Sequence, residues 1–286
     1  MIRSSREIHG SEVALHYDEL DYFYRDVWGD HVHHGLWRSG DESRLEAVRQ
    51  LVKFVAGEAQ ISSGETVCDI GCGYGATSRM LADEYGAQAT AITISPAQHA
   101  FAETQADSAK QPANPRYLLG DWLKNDLPEA AFDAAIAIES SEHMPDLAAF
   151  FAQAFRVLRP GGRLVVCAWL ACDHPTPRQQ AWLLEPICRE GRMPLMGTMG
   201  DYERLAAATG FTVKGTHDLT RGVWSTWPRI AWTFAGKLLL RPKYLRFLLD
   251  RHAHNRIFAL TMFRIWFAYR TGAMRYGVLT MEKPAA

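Results

Sequence analysis

The chain has 286 residues, of which 48% are hydrophobic and 22% charged, and its formal net charge is −1. This composition is typical of an ordinary globular protein with a large core, and it excludes a disordered or fibrous chain. Residues 1–12 lack the apolar segment of a secretory signal, and no window of 18 apolar residues indicates a membrane span. The five cysteines are an odd number without a signal, so we expect reduced thiols and a cytoplasmic protein.

Helical spacing of apolar residues predicts helices over 11–28 and 44–59, before a region in which strands and helices alternate. We predict strands at 66–70, 89–94, 115–119, 132–138, 162–169, 211–219 and 277–283, and helices at 75–85, 96–109, 146–158 and 200–209. Such alternation favours a parallel α/β sheet with helices on both faces. We expect one domain over 1–286, with a helical lid (1–60), a core (61–170) and a cap inserted at 171–199 and 221–270.

A glycine-rich turn follows the strand at 66–70. Gly71, Gly73 and Gly75 alternate with larger residues, and a helix begins directly after them. A strand, a tight glycine turn and a helix together form a setting in which a nucleotide-like ligand lies against bare backbone. A nicotinamide site would instead have G-x-G-x-x-G and an acid after the second strand, where this chain has Thr93-Ile94-Ser95. A nicotinamide oxidoreductase is therefore disfavoured. A catalytically idle binding protein that kept the fold is the second rival.

Asp69-Ile-Gly-Cys-Gly-Tyr-Gly75 resembles motif I of the class I S-adenosylmethionine (SAM) methyltransferases. Thr93-Ile-Ser-Pro-Ala-Gln98 and Leu119-Gly-Asp-Trp122 resemble segments of its sterol, cyclopropane-lipid and tocopherol branch. The Trp28–Gly35 and Ile138–Asp146 segments are similar to those of γ-tocopherol methyltransferases. The resemblance extends from about Tyr17 to Pro284 and implies a Rossmann-like seven-stranded sheet with a helical N-terminal lid, an inserted cap and S-adenosyl-L-methionine as cofactor.

The same resemblance implies a set of cofactor-binding residues. Asp69 would receive the ammonium group or only fix the loop, Thr93 and Gln98 would bind the ribose, and Trp122 would stack on the adenine or pack in the core. The full set is Asp69, Gly71, Cys72, Gly73, Gly75, Thr93, Ile94, Gln98, Gly120, Asp121, Trp122 and Glu139.

Glu139, Glu142 and His143 follow the strand at 132–138, where an acceptor would enter, and we interpret them as the catalytic residues. A phenol becomes a good nucleophile when it loses its proton, and histidine is suited to accept that proton because its pKa is about 6.5. We expect His143 to be the base, oriented by Glu142 or Glu139. The alternative is that His143 only caps the next helix.

Aromatic residues of the lid and the cap are the candidates for binding the acceptor. They would form a large apolar pocket, or they would simply bury the cap helices against the sheet. These residues are Tyr17, Trp28, His33, His34, Trp182, Trp224 and Trp227. We assign no metal, because no cysteine or carboxylate pattern accompanies the lid histidines.

The cap is strongly basic, with nine arginines and two lysines against one acid between Arg221 and Arg275. This charge favours a solvated face, contact with an anionic membrane, or an anionic substrate such as a diphosphate held by Arg229, Arg241, Lys243 or Arg246. Aromatic residues at helical spacing with aliphatic ones indicate burial, so we do not expect nucleic-acid binding.

The sequence therefore predicts SAM-dependent methylation of a small, largely apolar natural product. The resemblance implies C-methylation of a phenolic or prenylated ring of the tocopherol type, with His143 and Glu142 assisting deprotonation. The alternatives are C-methylation of a terpenoid or prenyl diphosphate and N-methylation of an indole-type alkaloid.

Overall fold

The computed structural model describes residues 1–108, 115–249 and 258–285 and contains a seven-stranded sheet. The strand order is β4-β3-β2-β5-β6-β9-β8. These strands are β2 (Thr66–Ile70), β3 (Gln88–Thr93), β4 (Arg116–Leu119), β5 (Phe132–Ile138), β6 (Leu158–Ala171), β8 (Thr212–Asp218) and β9 (Met274–Glu282). A separate antiparallel pair, β1 (Ile2–Arg3) with β7 (Leu195–Met196), was not predicted because two-residue strands carry no periodicity.

The sheet is mixed, whereas the alternating pattern predicted a parallel one. Strands β2 to β6 run parallel, but β9 is antiparallel to both β6 and β8. Met274, the first residue of β9, pairs with Ala171, the last residue of β6. Because β9 begins at the carboxyl end of β6, it has to run in the opposite direction. The α/β fold class with seven strands is otherwise confirmed.

Most predicted helices begin and end within one residue of the observed ones. The longer helices are α1 (Gly10–Val27), α2 (Arg44–Glu58), α3 (Ala76–Tyr85), α4 (Pro96–Ser108), α5 (Leu147–Val157) and α8 (Met199–Thr209). Strand β6 is longer at both ends than the predicted 162–169. Residue 109, the predicted end of α4, lies outside the described residues.

The cap is helical in both of its insertions. The first contains α6 (Pro177–Gln179), a π-helical segment (Gln180–Leu184) and α7 (Glu185–Glu190). The second contains α9 (Thr220–Val223), α10 (Thr226–Leu240), α11 (Pro242–Leu249) and α12 (Phe258–Arg270), while residues 250–257 lie outside the described part of the chain. None of the described helices has the length and hydropathy that crossing a bilayer requires.

Apolar packing covers both faces of the sheet. On one face, Leu51 and Val55 of α2 share a buried cluster with Val67 of β2 and Val165 of β6. On the other, the α5 and α8 helices contribute a second cluster that includes Phe150, Phe151 and Tyr202. The carboxyl ends of β2 to β5 remain uncovered by these helices, and the lid and cap meet there.

Candidate active site

A cavity of about 460 Å³ lies at the carboxyl ends of β2, β3, β4 and β5. Its volume is within the usual range of small-ligand sites. Most of the predicted cofactor residues line it: Gly71, Gly73, Thr93, Ile94, Gln98, Gly120, Asp121, Trp122 and Glu139. The amino-terminal turns of α1 close the opposite wall through His9, Gly10, Ser11, Val13 and Tyr17.

The glycine turn forms a cradle that side chains would fill. Gly71 has a φ of +77°, and an added Cβ would lie 2.3 Å from the Cβ of Ser140. Gly73 has a φ of +54°, and a Cβ there would project toward the cavity, 3.9 Å from the amide nitrogen of Gln98. Backbone bare of side chains is what close approach of a nucleoside requires, so the turn fits the predicted cofactor.

The residues predicted to bind the ribose and adenine also line this cavity, which is called here the cofactor cavity. The Thr93 hydroxyl donates a hydrogen bond to the Gln98 side chain at 2.9 Å, and both are buried. Asp121 caps a short 3₁₀ helix by accepting a bond from the Leu123 amide. The Trp122 indole donates to the Phe150 carbonyl, so it packs against α5 while also lining the cavity.

Three predicted cofactor residues lie behind the cradle and do not line the cavity: Asp69, Cys72 and Gly75. The buried Asp69 carboxylate accepts a hydrogen bond from Ser78, and burial raises its pKa to about 6. This arrangement corresponds to the alternative role for Asp69, in which the carboxylate fixes the loop. Gly75 is required for packing, because a Cβ would lie 2.4 Å from the Tyr117 ring.

A second, smaller cavity of about 60 Å³ lies between the lid, the cap and the end of β5. It is called here the inner cavity. Its walls include most of the predicted catalytic and substrate residues: Tyr17, Trp28, His33, His34, Glu139, Glu142, His143 and Trp227. Tyr17, Glu139 and His143 line both cavities and therefore lie between them.

Glu139 is fully engaged in hydrogen bonds. Its carboxylate accepts bonds from the His34 amide at 2.7 Å, the Trp169 indole at 2.8 Å and the Tyr276 hydroxyl at 2.8 Å. Burial acts to raise the pKa of Glu139, but the ring and backbone amide of His34, together with the His33 ring, lower it to about 2. A carboxylate held in this way is a fixed anion, and it is not a proton acceptor at neutral pH.

The same network determines the tautomer of His34. The Trp227 indole N–H donates to His34 Nε2 at 2.7 Å, so Nδ1 carries the proton and donates to Glu139 at 3.0 Å. Both ring nitrogens of His34 are therefore occupied by hydrogen bonds. This chain of contacts connects β5, the lid and the cap helix α10.

His143 is oriented by different partners from those expected. Its Nδ1 lies 3.1 Å from the Arg192 carbonyl and its Nε2 lies 3.0 Å from the Tyr17 hydroxyl. Because the carbonyl can only accept, Nδ1 carries the proton and Nε2 accepts from Tyr17. Burial lowers the pKa of His143 and raises that of Tyr17, so the ring is neutral and the phenol protonated at pH 7.

Glu142 has different hydrogen-bond partners from those of His143. Its carboxyl group accepts a bond from the Trp169 amide at 2.8 Å and contacts the Ser141 hydroxyl at 3.1 Å. Burial raises its pKa to about 8, and the charge of Glu139 acts in the same direction. Glu142 is therefore mostly protonated at neutral pH. The hydrogen bonds of His143 go to Arg192 and Tyr17, so among the described contacts neither Glu142 nor Glu139 has the expected orienting role.

The remaining predicted substrate residues separate into two groups. His33 donates from Nδ1 to the His34 carbonyl, and its Nε2 lies 3.2 Å from His31 Nδ1. It lines the inner cavity with Trp28, but Trp182 and Trp224 line neither cavity. Trp182 is 75% exposed, which fits its position in the short first insertion rather than over the sheet.

Several lining residues were not predicted. The Ser140 hydroxyl donates to the Ile70 carbonyl, and its side chain lies against Gly71. The Glu-Ser-Ser-Glu-His segment already contained this serine. The start of α1, by contrast, contributes His9 and Gly10 without any recognisable motif. Trp169 and Tyr276 reach Glu139 from β6 and β9, and only the three-dimensional fold brings them together.

We expect Glu142→Gln to stabilise the folded protein increasingly as pH rises. The pKa of Glu142 is raised from 4.5 to about 8 on folding, so the native state binds an extra proton between these values. The free energy of unfolding of the wild type then falls as pH rises through this window, and a neutral amide removes that loss. Thermal unfolding from pH 4.5 to 9 measures the stability of both proteins. If the free energies of unfolding of the wild type and the variant differ by the same amount at every pH, the raised pKa of Glu142 is contradicted.

The chain is similar in sequence to known methyltransferases. A family model described as mycolic acid cyclopropane synthetase matches residues 4–233. The chain is 28% identical to the chloroplastic tocopherol O-methyltransferase of Arabidopsis thaliana, over 98% of this chain and 84% of that protein. It is 30% identical to a probable tocopherol O-methyltransferase of Oryza sativa subsp. japonica, over 95% and 78% of the two chains.

A solved structure has the same fold. Mycolic acid cyclopropane synthase CmaA1, complexed with S-adenosylhomocysteine (SAH) and CTAB, superimposes with a TM-score of 0.84 at 20% identity and covers 98% of this chain and 100% of its own. Since the family model spans most of the chain and the glycine cradle fits its cofactor, the protein belongs to the mycolic acid cyclopropane synthetase family and is a SAM-dependent methyltransferase.

Proposed function

We propose that this enzyme transfers the methyl group of SAM to a ring carbon of a phenolic small molecule that carries an apolar, prenyl-type chain. The observation that carries the proposal is the Tyr17–His143 pair, which lies in the wall shared by the two cavities. A phenol in the inner cavity would be next to a proton acceptor on one side and to the cofactor cavity on the other.

The pair supplies the proton transfer that such a reaction needs. Neutral His143 accepts from the Tyr17 hydroxyl through Nε2, and the Tyr17 oxygen in turn accepts the proton of the acceptor phenol. A positioned general base of this kind contributes about 10²–10⁴ in rate. The phenoxide that results carries negative charge on its oxygen and on the ortho and para ring carbons. Attack by one of these carbons would form the new carbon–methyl bond, break the sulfur–methyl bond and leave SAH. The proton on that carbon would then be lost to water, and the product oxygen would take back the proton held by His143 through Tyr17.

The cofactor, when bound, supplies an electrophilic methyl group on a sulfonium. The bare turn at Gly71 and Gly73 would pass under it, while Thr93 and Gln98 would hold the ribose and Asp121 the adenine side. Glu139 would then be a fixed anion in the site, and Glu142 would be an uncharged part of the wall of the inner cavity. Transfer of this type depends mainly on holding the acceptor opposite the sulfur.

The arginines and lysines of the cap give little support to a diphosphate acceptor. Arg229 lies over an indole ring of the lid, Arg241 pairs with a carboxylate of α1, and Lys243 lies over a phenol ring of α1. None of these three, nor Arg246, lines the inner cavity among the described residues. These cationic side chains therefore contact other groups of the protein itself, and this favours an uncharged acceptor.

Gly73→Ala should weaken SAH binding by about tenfold or more, because the new methyl group would occupy the cofactor cavity. Gly64→Ala is the matched control: Gly64 also has a positive φ, of +85°, but nothing lies within 4 Å of an added Cβ. Both variants should lose about 1–2 kcal/mol of stability from backbone strain. Calorimetric titration with SAH measures the difference, and equal affinities would contradict the position of the cofactor.

Incubation with SAM that carries a radiolabelled methyl group tests the acceptor. We expect label in γ-tocopherol, with the product methylated on a ring carbon as determined by NMR. Label on the phenol oxygen would contradict the ring-carbon assignment. Label in geranyl diphosphate or tryptamine, with none in the phenol, would establish one of the alternative functions.

Tyr17→Phe should lower kcat by about 10²–10⁴ while leaving SAH affinity nearly unchanged, because the ring remains and only the proton-transferring hydroxyl is lost. Tyr244→Phe is the control: it removes a hydroxyl that donates to Asp26, away from both cavities. Single-turnover rates across pH measure the effect. Equal rates in the two variants would exclude Tyr17 from the proton path.

A further inference from the structure

An apolar groove of about 380 Å³ lies on the outer side of the cap, between α10 and α12. It is called here the α10–α12 groove. Besides Trp227, its walls are formed mainly by Ala231, Trp232 and Ala235 of α10 and by Met262, Phe263 and Trp266 of α12. Within the described ranges no charged side chain lines it, and its rims are solvated, with Trp232 79% and Phe263 58% exposed.

A thin partition separates this groove from the inner cavity. Trp227 lines both spaces, and its indole is held in place by the hydrogen bond to His34. Helix α12 forms the rest of the partition, since Thr261 and Ile265 line the inner cavity while its neighbouring residues line the groove. One layer of side chains thus separates the reaction site from an apolar surface channel.

The inner cavity is too small to hold an acceptor ring with this partition in place. Its volume is about 60 Å³. A cavity that holds benzene in a protein interior measures about 150 Å³. A phenol therefore enters only if part of the wall moves. One wall of the inner cavity, with Tyr17 and His143, faces the space that the cofactor would fill, whereas the partition faces the open groove.

Two unsatisfied polar groups also point to α12. Among the described residues, the Trp266 indole nitrogen and the Tyr269 hydroxyl are buried without a hydrogen-bond partner. A buried group of this kind costs about 1–3 kcal/mol. Both groups belong to α12, so these two side chains do not fix the helix to its neighbours by hydrogen bonds.

We propose that the α10–α12 groove binds the hydrocarbon chain of the acceptor, and that Trp227 is the partition displaced when the ring enters the inner cavity. The inference rests on the proposed function, because it takes the reacting ring to lie beside Tyr17 and His143. The occupant is an uncharged apolar chain, since the groove offers aromatic and aliphatic surface and no ionic partner.

Binding of 4-alkylphenols to the SAH complex, measured by calorimetry, tests the groove without requiring turnover. From 4-ethylphenol to 4-octylphenol we expect the wild-type affinity to rise about fourfold for each added methylene group that is fully buried. Ala235→Trp fills the groove and should abolish this rise while leaving 4-ethylphenol affinity unchanged. Ala231→Trp, one turn away on the same face, provides a second variant with the same expectation.

Gly236→Trp is the matched control. Gly236 lies on the same helix but does not line the groove, and nothing lies within 4 Å of an added Cβ. It should bind the whole phenol series as the wild type does. A wild-type affinity that is independent of chain length would overturn the proposal. So would an affinity that still rises with chain length in both Ala235→Trp and Ala231→Trp. So would variants that lose only their association with anionic phospholipid vesicles, because the groove would then face a membrane.

These outcomes are distinct from failure of the proposed function. Affinity that rises with chain length, without methylation of any phenol, would support the groove and refute the phenolic acceptor. Methylation of γ-tocopherol with equal kcat/KM in the wild type and Ala235→Trp would support the reaction and refute the groove.

Discussion

The arrangement of the site depends on the hydrogen bonds that the buried carboxylate of Glu139 accepts. An anion inside a protein is tolerated only when donors surround it. Here those donors come from the lid through His34, from β6 through Trp169 and from β9 through Tyr276. The Glu139 backbone has a φ of +54°, a conformation that is uncommon outside glycine. This conformation turns the Glu139 side chain toward the three donors just after β5 ends. Satisfying one charge therefore joins three separate parts of the chain.

The contacts of Glu139 also determine how the two cavities lie next to each other. His34, fixed by Glu139, accepts the indole N–H of Trp227 and thereby positions the first turn of α10. Tyr17 and His143 lie beside the same carboxylate, in the wall common to both cavities. A methyl group that passes from one cavity to the other must cross this wall, so the residues that complete it are also those able to control the proton of the acceptor.

The local features were predictable from the sequence, whereas the long-range contacts were not. Alternating strands and helices with a glycine turn predicted the sheet and placed Gly71 and Gly73 in the cofactor cavity, because these patterns are encoded over a few residues. The direction of β9 depends on where α12 ends, which no local pattern encodes. His143 was identified from its segment, but its partners Tyr17 and Arg192 come from α1 and from the residues after α7, far away in the chain.

The protonation states of the three predicted catalytic residues follow from neighbours that the sequence did not reveal. Glu139 and Glu142 are three residues apart and both buried, yet the pKa of the first falls to about 2 and that of the second rises to about 8. Glu139 is surrounded by donors from three elements. Glu142 has fewer donors and lies within the field of Glu139, which disfavours a second negative charge. Burial is the main reason that Glu142 stays neutral, and the charge of Glu139 adds to it. His143 is left as the group able to accept a proton at neutral pH.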